Sequence, residues 1–302
     1  MGLQIIPYNT KFDIVGKKNI IFSILIAVAV LCLGSIFIQG FNYGIDFKGG
    51  LLLEIRTHES ITDIAKLRAD LSSVVMGEVT LQEFGSPNDI LIRVERQPGG
   101  DEEQLTALAK IKDKLGTSVD YRRVETVGPK VSADLIRNGI YAVLWALVAM
   151  LAYIWFRFEW QFGVCSFITL AHDSLIVLGL FALFQLEFNE TTIIAVLITV
   201  TYSINDTVVI YDRIRENLRK FKKLPLGELI NLSINETLSR TILTSTTTLL
   251  SLLGLYFFGG PVIAAFSLPI IVGITAGTIS SITVSAPLLL HTGLRAEKRS
   301  ED

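Results

Sequence analysis

A carboxylate written into an apolar run is the most restrictive feature of this chain. Residues Thr191–Asn217, TTIIAVLITVTYSINDTVVIYDRIREN, begin as a stretch apolar enough to enter a bilayer. They hold Asn205 and Asp206 near the end and leave through Arg213 and Arg215. A carboxylate at the centre of a bilayer costs roughly 3 kcal/mol on insertion scales. It persists only where it faces protein or water, or where it carries a proton. Other helices must therefore surround this segment, and Asp206 becomes a candidate for taking up and releasing a proton or an ion.

The rest of the chain supplies such helices. Half of its 302 residues are hydrophobic and the mean hydropathy is +0.51, too apolar for an ordinary soluble domain. Six spans are placed at Asn19–Gln39, Leu135–Phe156, Gln161–Phe184, Thr191–Tyr211, Arg240–Phe258 and Val262–Leu290. Lys17 and Lys18 precede Ile20–Ile38, which is longer than a signal-peptide core and has no small-residue cleavage site after it, so an uncleaved first span is expected. Lys and Arg crowd the segments at 1–18, at 212–239 and at 291–302, and are missing from the short loops Gln185–Glu190 and Gly259–Pro261. The positive-inside rule then makes both termini cytoplasmic, as a 1–18 segment and a 291–302 tail, and sends 40–134 to the other side of the membrane. A net charge of −2 argues against nucleic acid as a partner. Both cysteines, Cys32 and Cys165, fall inside apolar runs and read as packing residues. No metal, cofactor or catalytic constellation is evident, so no enzymatic activity is expected.

The segment 40–134 reads as one extracytoplasmic α+β domain. Leu51–Arg56, Val79–Phe84, Ile90–Glu95 and Val119–Val127 carry strand patterns. Ser60–Val75 and Asp101–Leu115 read as helices, the second capped by Asp101 and stopped by Gly116. The order βαββαβ is that of the ferredoxin-like unit. His58 reads as a solvated surface residue. In the cytoplasmic loop, Asp212–Lys223 is expected to extend the fourth span, and Leu226–Leu238 is an amphipathic stretch able to lie on the membrane surface or to serve as a solvated connector.

Polar residues inside the spans are the remaining clues. Tyr202 and Ser203 share a helical face with Asp206, with Thr199 one turn further back. The fifth span starts at Ser239-Arg240-Thr241 and continues through Thr244, Thr247, Thr248 and Ser251. Asp206 and Arg240 both lie toward the cytoplasmic half and are able to meet, either as a titrating pair or as a permanent ion pair; Arg240 could also simply snorkel. Asp173 in the third span is either a second relay or a buried acid holding helices together. Its neighbour His172 points about 100° away on a helix, so no bond between them is required. The depths of Asp173 and Asp206 look offset. Gly273, Gly277, Ser281 and Ser285 form a small-residue face that admits a close helix, from this chain or another. Gly44, Asp46, Gly49 and Gly50 before the α+β domain, and Gly128 and Pro129 after it, read as joints between membrane and domain.

GIDFKGG at Gly44–Gly50, VGPKV at Val127–Val131, AHDS at Ala171–Ser174, YSINDTVVIYDRIREN at Tyr202–Asn217 and SRTILTSTTTLL at Ser239–Leu250 together make a specific combination. The chain resembles the SecF family, the smaller membrane subunits of the SecD–SecF accessory complex of the bacterial Sec translocase, within the resistance–nodulation–division superfamily. The resemblance covers nearly the whole chain. It implies half of a pseudo-symmetric twelve-span unit completed by a SecD-like six-span subunit. It also implies use of the ion gradient to draw exported, unfolded polypeptides from the SecYEG channel late in translocation. Asp206 and Arg240 match the ion-coupling positions of the family, with Asn205 beside them; whether the ion is H⁺ or Na⁺ is left open. Three positions depart from the family pattern: Thr201 stands for Gly, Ser132 for Gly, and Lys48 for a small hydroxyl residue. Thr201 is expected to thicken the helix surface near Asn205. The alternatives from other classes are half of a proton-driven small-molecule exporter, disfavoured by the small outer domain, and an intramembrane aspartyl protease, disfavoured by the offset acids and the absence of a glycine flank at Asp206.

Overall fold

A computed structural model describes residues 10–58, 63–84 and 86–294. In chain order the elements are α1 (Lys18–Gln39), β1 (Asn42–Tyr43), α2 (Ile45–Lys48), β2 (Gly50–Thr57), α3 (Ile64–Ser72), β3 (Val79–Phe84), β4 (Ser86–Glu95), α4 (Asp101–Leu115), β5 (Val119–Val127), α5 (Pro129–Arg157), α6 (Trp160–Leu183), β6 (Glu187–Phe188), α7 (Glu190–Lys220), α8 (Leu226–Phe258) and α9 (Gly260–Ser280). A π-helical segment, Ser281–Ser285, then leads into α10 (Ala286–Leu288). Six of the described helices are long and apolar enough to cross a membrane. The chain divides into two units, one of helices and one comprising 42–142 with Glu187–Thr191.

The α+β unit is built on alternation. Leu51, Leu53 and Ile55 of β2 are fully buried, and so are Ile90, Ile92 and Val94 of β4. The antiparallel register sets Leu51 against Val94, Leu53 against Ile92 and Ile55 against Ile90, which puts all six on one face. Leu71 of α3 and Ala107, Ile111 and Leu115 of α4 cover that face. The sheet order β3-β4-β2-β5 is the ferredoxin-like arrangement of βαββαβ. Across the two central strands Arg56 grips Asp89 bidentately, at 2.6 and 2.7 Å, and Ser86 Oγ donates to Asp89 at 2.9 Å. These bonds to its charged form hold the Asp89 carboxyl at about 2.

Local differences from the sequence reading have clear causes. The helix expected over Ser60–Val75 is described only from Ile64, because Asp63 caps it by accepting from the Ala65 and Lys66 amides; Ser60 lies outside the described residues. Gly100, not Asp101, is the cap of α4. Helix α5 starts at Pro129 rather than Leu135, since the fixed φ of proline suits a first helical turn. His58 lies 3.2 Å from Asp120 on the surface.

The helical unit corrects the reading of the 212–239 loop. Leu226–Leu238 neither lies on the membrane surface nor forms a solvated connector. It is the first part of α8, and it folds back along the end of α7 as an antiparallel hairpin. Leu229, Ile230, Ile234 and Leu238 pack with Ile210, Tyr211, Ile214 and Leu218, together with Phe158, Phe162 and Cys165. Buried Asn217 donates to Ser233 at 3.0 Å and to Glu236 at 2.7 Å, and Arg213 meets Glu236 at 2.7 Å. The Asn231 side chain accepts from the Ile14 and Val15 amides, and so ties the N-terminal segment to α8. The protein groove satisfies both apolar and polar groups of this stretch, which a lipid surface would not.

Helix α1 packs on α6. There Cys32 sits where a Cβ on Gly179 would fall, so the glycine is what allows the close approach. Both cysteines are free and buried. Outward-facing residues such as Phe156, 99% exposed, and Phe258, 90% exposed, are apolar, as a lipid-facing surface requires.

Candidate functional site

Helices α7 and α9 cross through the small-residue face read from the sequence. A Cβ on Gly273 would overlap Thr199, and one on Gly277 would stand 3.0 Å from Ser203. One turn on, Thr207 Oγ1 donates to Ser281 Oγ at 2.9 Å, and Ser281 Oγ donates to the Ser203 carbonyl at 3.0 Å. One turn further, Ser285 Oγ donates to the Tyr211 hydroxyl at 2.7 Å. Residues 199, 203, 207 and 211 therefore interlock with 273, 277, 281 and 285, each row stepping by four. The partner of the small-residue face is this chain's own fourth span. The π-helical turn at Ser281–Ser285 has a local cause: Pro287 has no amide hydrogen and its ring crowds the carbonyl of Thr283.

This crossing places the two intramembrane acids. Asp173 on α6 is fully buried. Its Oδ2 accepts from Ser203 Oγ at 2.5 Å and from Ser280 Oγ at 2.8 Å, and its Oδ1 lies 3.3 Å from His172 Nδ1. The side chain of His172 thus turns back to its neighbour, which helical projection alone did not require. The Nε2 of His172 is buried and has no hydrogen-bond partner among the described residues. Asp173 joins α6, α7 and α9.

Asp206 is only partly buried. Its Oδ2 accepts from Ser245 Oγ of α8 at 3.2 Å and from Thr278 Oγ1 of α9 at 3.4 Å, and those two hydroxyls are 2.7 Å apart. Among the described residues its other oxygen accepts no hydrogen bond. Arg240 is exposed and forms no ion pair among the described residues, although its charge lies within electrostatic range of the acid. Ser245 follows Arg240 by five residues, about 7.5 Å along the helix, and it is the serine that reaches Asp206. Asn205 is exposed beside it and Tyr202 is 39% exposed. The hydroxyl stripe expected to lead to Asp206 therefore splits: Ser203 and Thr199 turn to α6 and α9, while Tyr202 faces outward.

The acids are not offset in depth. Asp173 reaches Ser280 and Asp206 reaches Thr278, two residues apart on α9, or about 3 Å of rise. Two residues also mean about 200° of rotation, so the two acids meet α9 on different faces. Among the described residues the two acids share no hydrogen-bond partner. No cluster of metal ligands occurs among the described residues.

The two glycine motifs meet as well. Gly50 of β2 pairs with Val127 of β5, so Gly44–Gly50 and Val127–Pro129 lie side by side rather than forming separate joints. Gly49 and Gly50 have φ of 76° and 143°, and a Cβ on Gly50 would strike the Val94 carbonyl. Asp46 Oδ2 accepts from the Glu190 amide at 3.3 Å. The Gly128 carbonyl accepts from Ser132 at the start of α5, at 3.1 Å.

Comparison with known proteins decides the family. A family model for the protein export membrane protein SecD/SecF, C-terminal, matches residues 107–295, and one for the SecD/SecF GG motif matches residues 34–61. Protein translocase subunit SecF of Rickettsia felis is 45% identical over 291 residues, covering 95% of this chain and 94% of its own length. The Rickettsia prowazekii protein of the same name is 46% identical, over 95% and 93%. The chain belongs to the SecF family. Among solved structures, SecDF from Thermus thermophilus, a translocon-associated membrane protein, has 38% identity and a TM-score of 0.83; the match covers 96% of this chain and 40% of that one. A SecDF structure in a super-membrane-facing form gives 39% identity and a TM-score of 0.69. This SecF-family chain is a multi-pass membrane protein with an α+β domain.

Its departures from the family pattern can now be located. Thr201 is exposed, one turn from exposed Asn205, and bonds to its own helix at the Leu197 carbonyl, away from the α7–α9 crossing. Ser132 is buried with an unpartnered hydroxyl near Gly49. Lys48 ends the single turn of α2. The residues missed from sequence are Ser245, Thr278 and Ser280, ordinary in composition and visible only through the crossing, and the short strand β6.

Proposed function

We propose that this chain is the ion-coupling subunit of a protein-export accessory complex in the bacterial cytoplasmic membrane, and that it is not an enzyme. Both termini face the cytoplasm and the α+β domain faces the opposite side. A SecD-like six-span subunit completes the membrane unit, and the complex acts on unfolded polypeptides leaving a SecYEG channel late in translocation. The observation that carries this reading is the half-satisfied carboxylate of Asp206 at a bundle surface that also exposes Asn205, Tyr202 and Arg240. A charged side chain at the centre of a bilayer costs roughly 3 kcal/mol against lipid. A polar partner surface or a wet seam removes that cost. A carboxylate held on one side by hydroxyls and open on the other can gain and lose a proton without breaking the helix packing, because Ser245 and Thr278 each both donate and accept. Arg240, which forms no ion pair among the described residues, is placed to favour the charged form when the seam closes.

The test is Asp206→Asn in the assembled complex, with export into proteoliposomes measured with and without a proton gradient. The expected result is loss of the gradient-dependent part at normal assembly. Gradient-dependent export at the wild-type rate overturns the proposal.

A further inference from the structure

The loop between α6 and α7 is short in sequence, yet it is folded as part of the α+β unit rather than as a free turn. Helix α6 ends at Leu183 with Phe184 as its cap, and Gln185 then turns the chain with a φ of 50°. Glu187 and Phe188 then form β6 and pair in parallel with Asn42 and Tyr43 of β1, the strand that opens the glycine motif. The Gly44 amide donates to the Phe188 carbonyl at 2.9 Å. Phe188 packs against Tyr43 and Phe47, at ring distances of 5.8 and 5.6 Å. Glu187 forms an ion pair with Arg93 of β4, in the middle of the main sheet. Its carboxyl occupies the space a Cβ on Gly44 would need, which gives that glycine a packing role beyond turn geometry. Burial pushes the Glu187 carboxyl up; Arg93 opposes this and Asp46 adds to it. Asp46 accepts from the Glu190 amide, and Asn189 caps the helix start by accepting from the Thr191 amide at 3.1 Å and hydroxyl at 2.6 Å.

From Glu190 the helix runs without a break to Lys220 and carries Asp206 on the way. A rigid helix transmits displacement along its axis, whereas a flexible loop at its head would dissipate it. We propose that β6, with Glu187, Phe188 and the Asp46 cap, is a clip that makes the head of the acid-bearing helix part of the α+β domain. Glu187 and Arg93 act in it as positioning residues that convert events at Asp206 into domain movement. They touch no ion and no exported chain. This inference rests on the coupling role proposed for Asp206.

The test separates ion movement from work. Glu187→Gln keeps the shape of the side chain and removes its charge; Arg93→Glu combined with Glu187→Arg exchanges the pair. Each is placed in the full complex in proteoliposomes, and gradient-driven proton uptake and export are read in parallel with Asp206→Asn. Glu187→Gln is expected to keep proton uptake within about 2-fold of wild type and to lower gradient-dependent export about 5-fold or more, the lower end of ordinary coupling energies. The exchanged pair is expected to regain export. Wild-type export in Glu187→Gln overturns the clip. So does parallel loss of uptake and export that the exchange fails to repair, which would make the pair merely structural. Unchanged uptake in Asp206→Asn defeats the carrier reading itself, independently of what the Glu187 variants do.

Discussion

Two carboxylates lie at nearly one level in the helical unit and are built for opposite ends. Asp173 is enclosed, with both oxygens engaged by Ser203, Ser280 and His172. Asp206 is held through one oxygen by Ser245 and Thr278, and it sits at a surface with Asn205 and Arg240. A fully satisfied buried acid rigidifies what surrounds it, and removing it strands its donors. A half-satisfied acid at a surface has little to lose structurally and a free side for exchange. Residue type and depth are the same, so the difference lies in the number of hydroxyls each acid meets and in where the α7–α9 crossing leaves an opening.

Substitutions should pull this contrast apart. Asp206→Asn is expected to abolish gradient-dependent export while the melting temperature of the complex stays within a few degrees, because only two long hydrogen bonds are disturbed. Arg240→Gln should reduce gradient-dependent export about 10-fold or more, with no change in thermal stability, since Arg240 is exposed and has no ion-pair partner among the described residues. Asp173→Ala should do the reverse. It takes the acceptor from Ser203 and the acid partner from Ser280 and His172 in a fully buried site, so stability should fall by about 3 kcal/mol, read from thermal unfolding of the complex in detergent. If Asp173→Ala is stable and only export suffers, the contrast fails and Asp173 is a relay.

The crossing that separates the acids can be probed with a methyl group. Gly273→Ala should cost about 1–2 kcal/mol by overlap with Thr199, and adding Thr199→Ala should recover most of it, because the Thr199 hydroxyl has no partner to lose. The smallest effect concerns a third carboxylate, outside the membrane segments. Asp89 is held down at about 2 by Arg56. A depressed carboxylate stabilises the fold above its unfolded value of about 4, and that contribution is lost as pH falls through its folded value. The α+β domain should therefore lose on the order of 1 kcal/mol between about pH 4 and pH 2, discounted for partial exposure of Arg56. Arg56→Gln should remove most of that pH dependence and leave the part due to Ser86 and Arg122.

Much of this was readable before the structure, and the remainder was unreadable for physical reasons. Spans announce themselves by length and hydropathy, and Leu51, Leu53 and Ile55 announce a half-buried strand by alternation. The two-residue strand β6 carries no periodicity at all, so the clip at Glu187 stayed hidden. Leu226–Leu238 has the pattern of an interfacial helix, but the pattern says only that one face is apolar; the exposed apolar side of α7 supplied a better surface than lipid. Residue counting placed the acids at different depths because it assumed straight, equal spans. Helices α7 and α8 run well past their apolar stretches, and the crossing brings Asp173 and Asp206 to neighbouring residues of α9. The four-residue rhythm of Gly273, Gly277, Ser281 and Ser285 was visible, but only the matching rhythm of Thr199, Ser203, Thr207 and Tyr211 identified its partner.

The most direct measurement is carbodiimide labelling of the intact complex across a pH series, with the modified residues located by mass spectrometry. The reagent reports carboxyl groups that are both protonated and reachable. The account predicts labelling at Asp206 that declines as pH rises, and none at Asp173 while the complex stays folded. Labelling at Asp173 with Asp206 unmodified at every pH would contradict it.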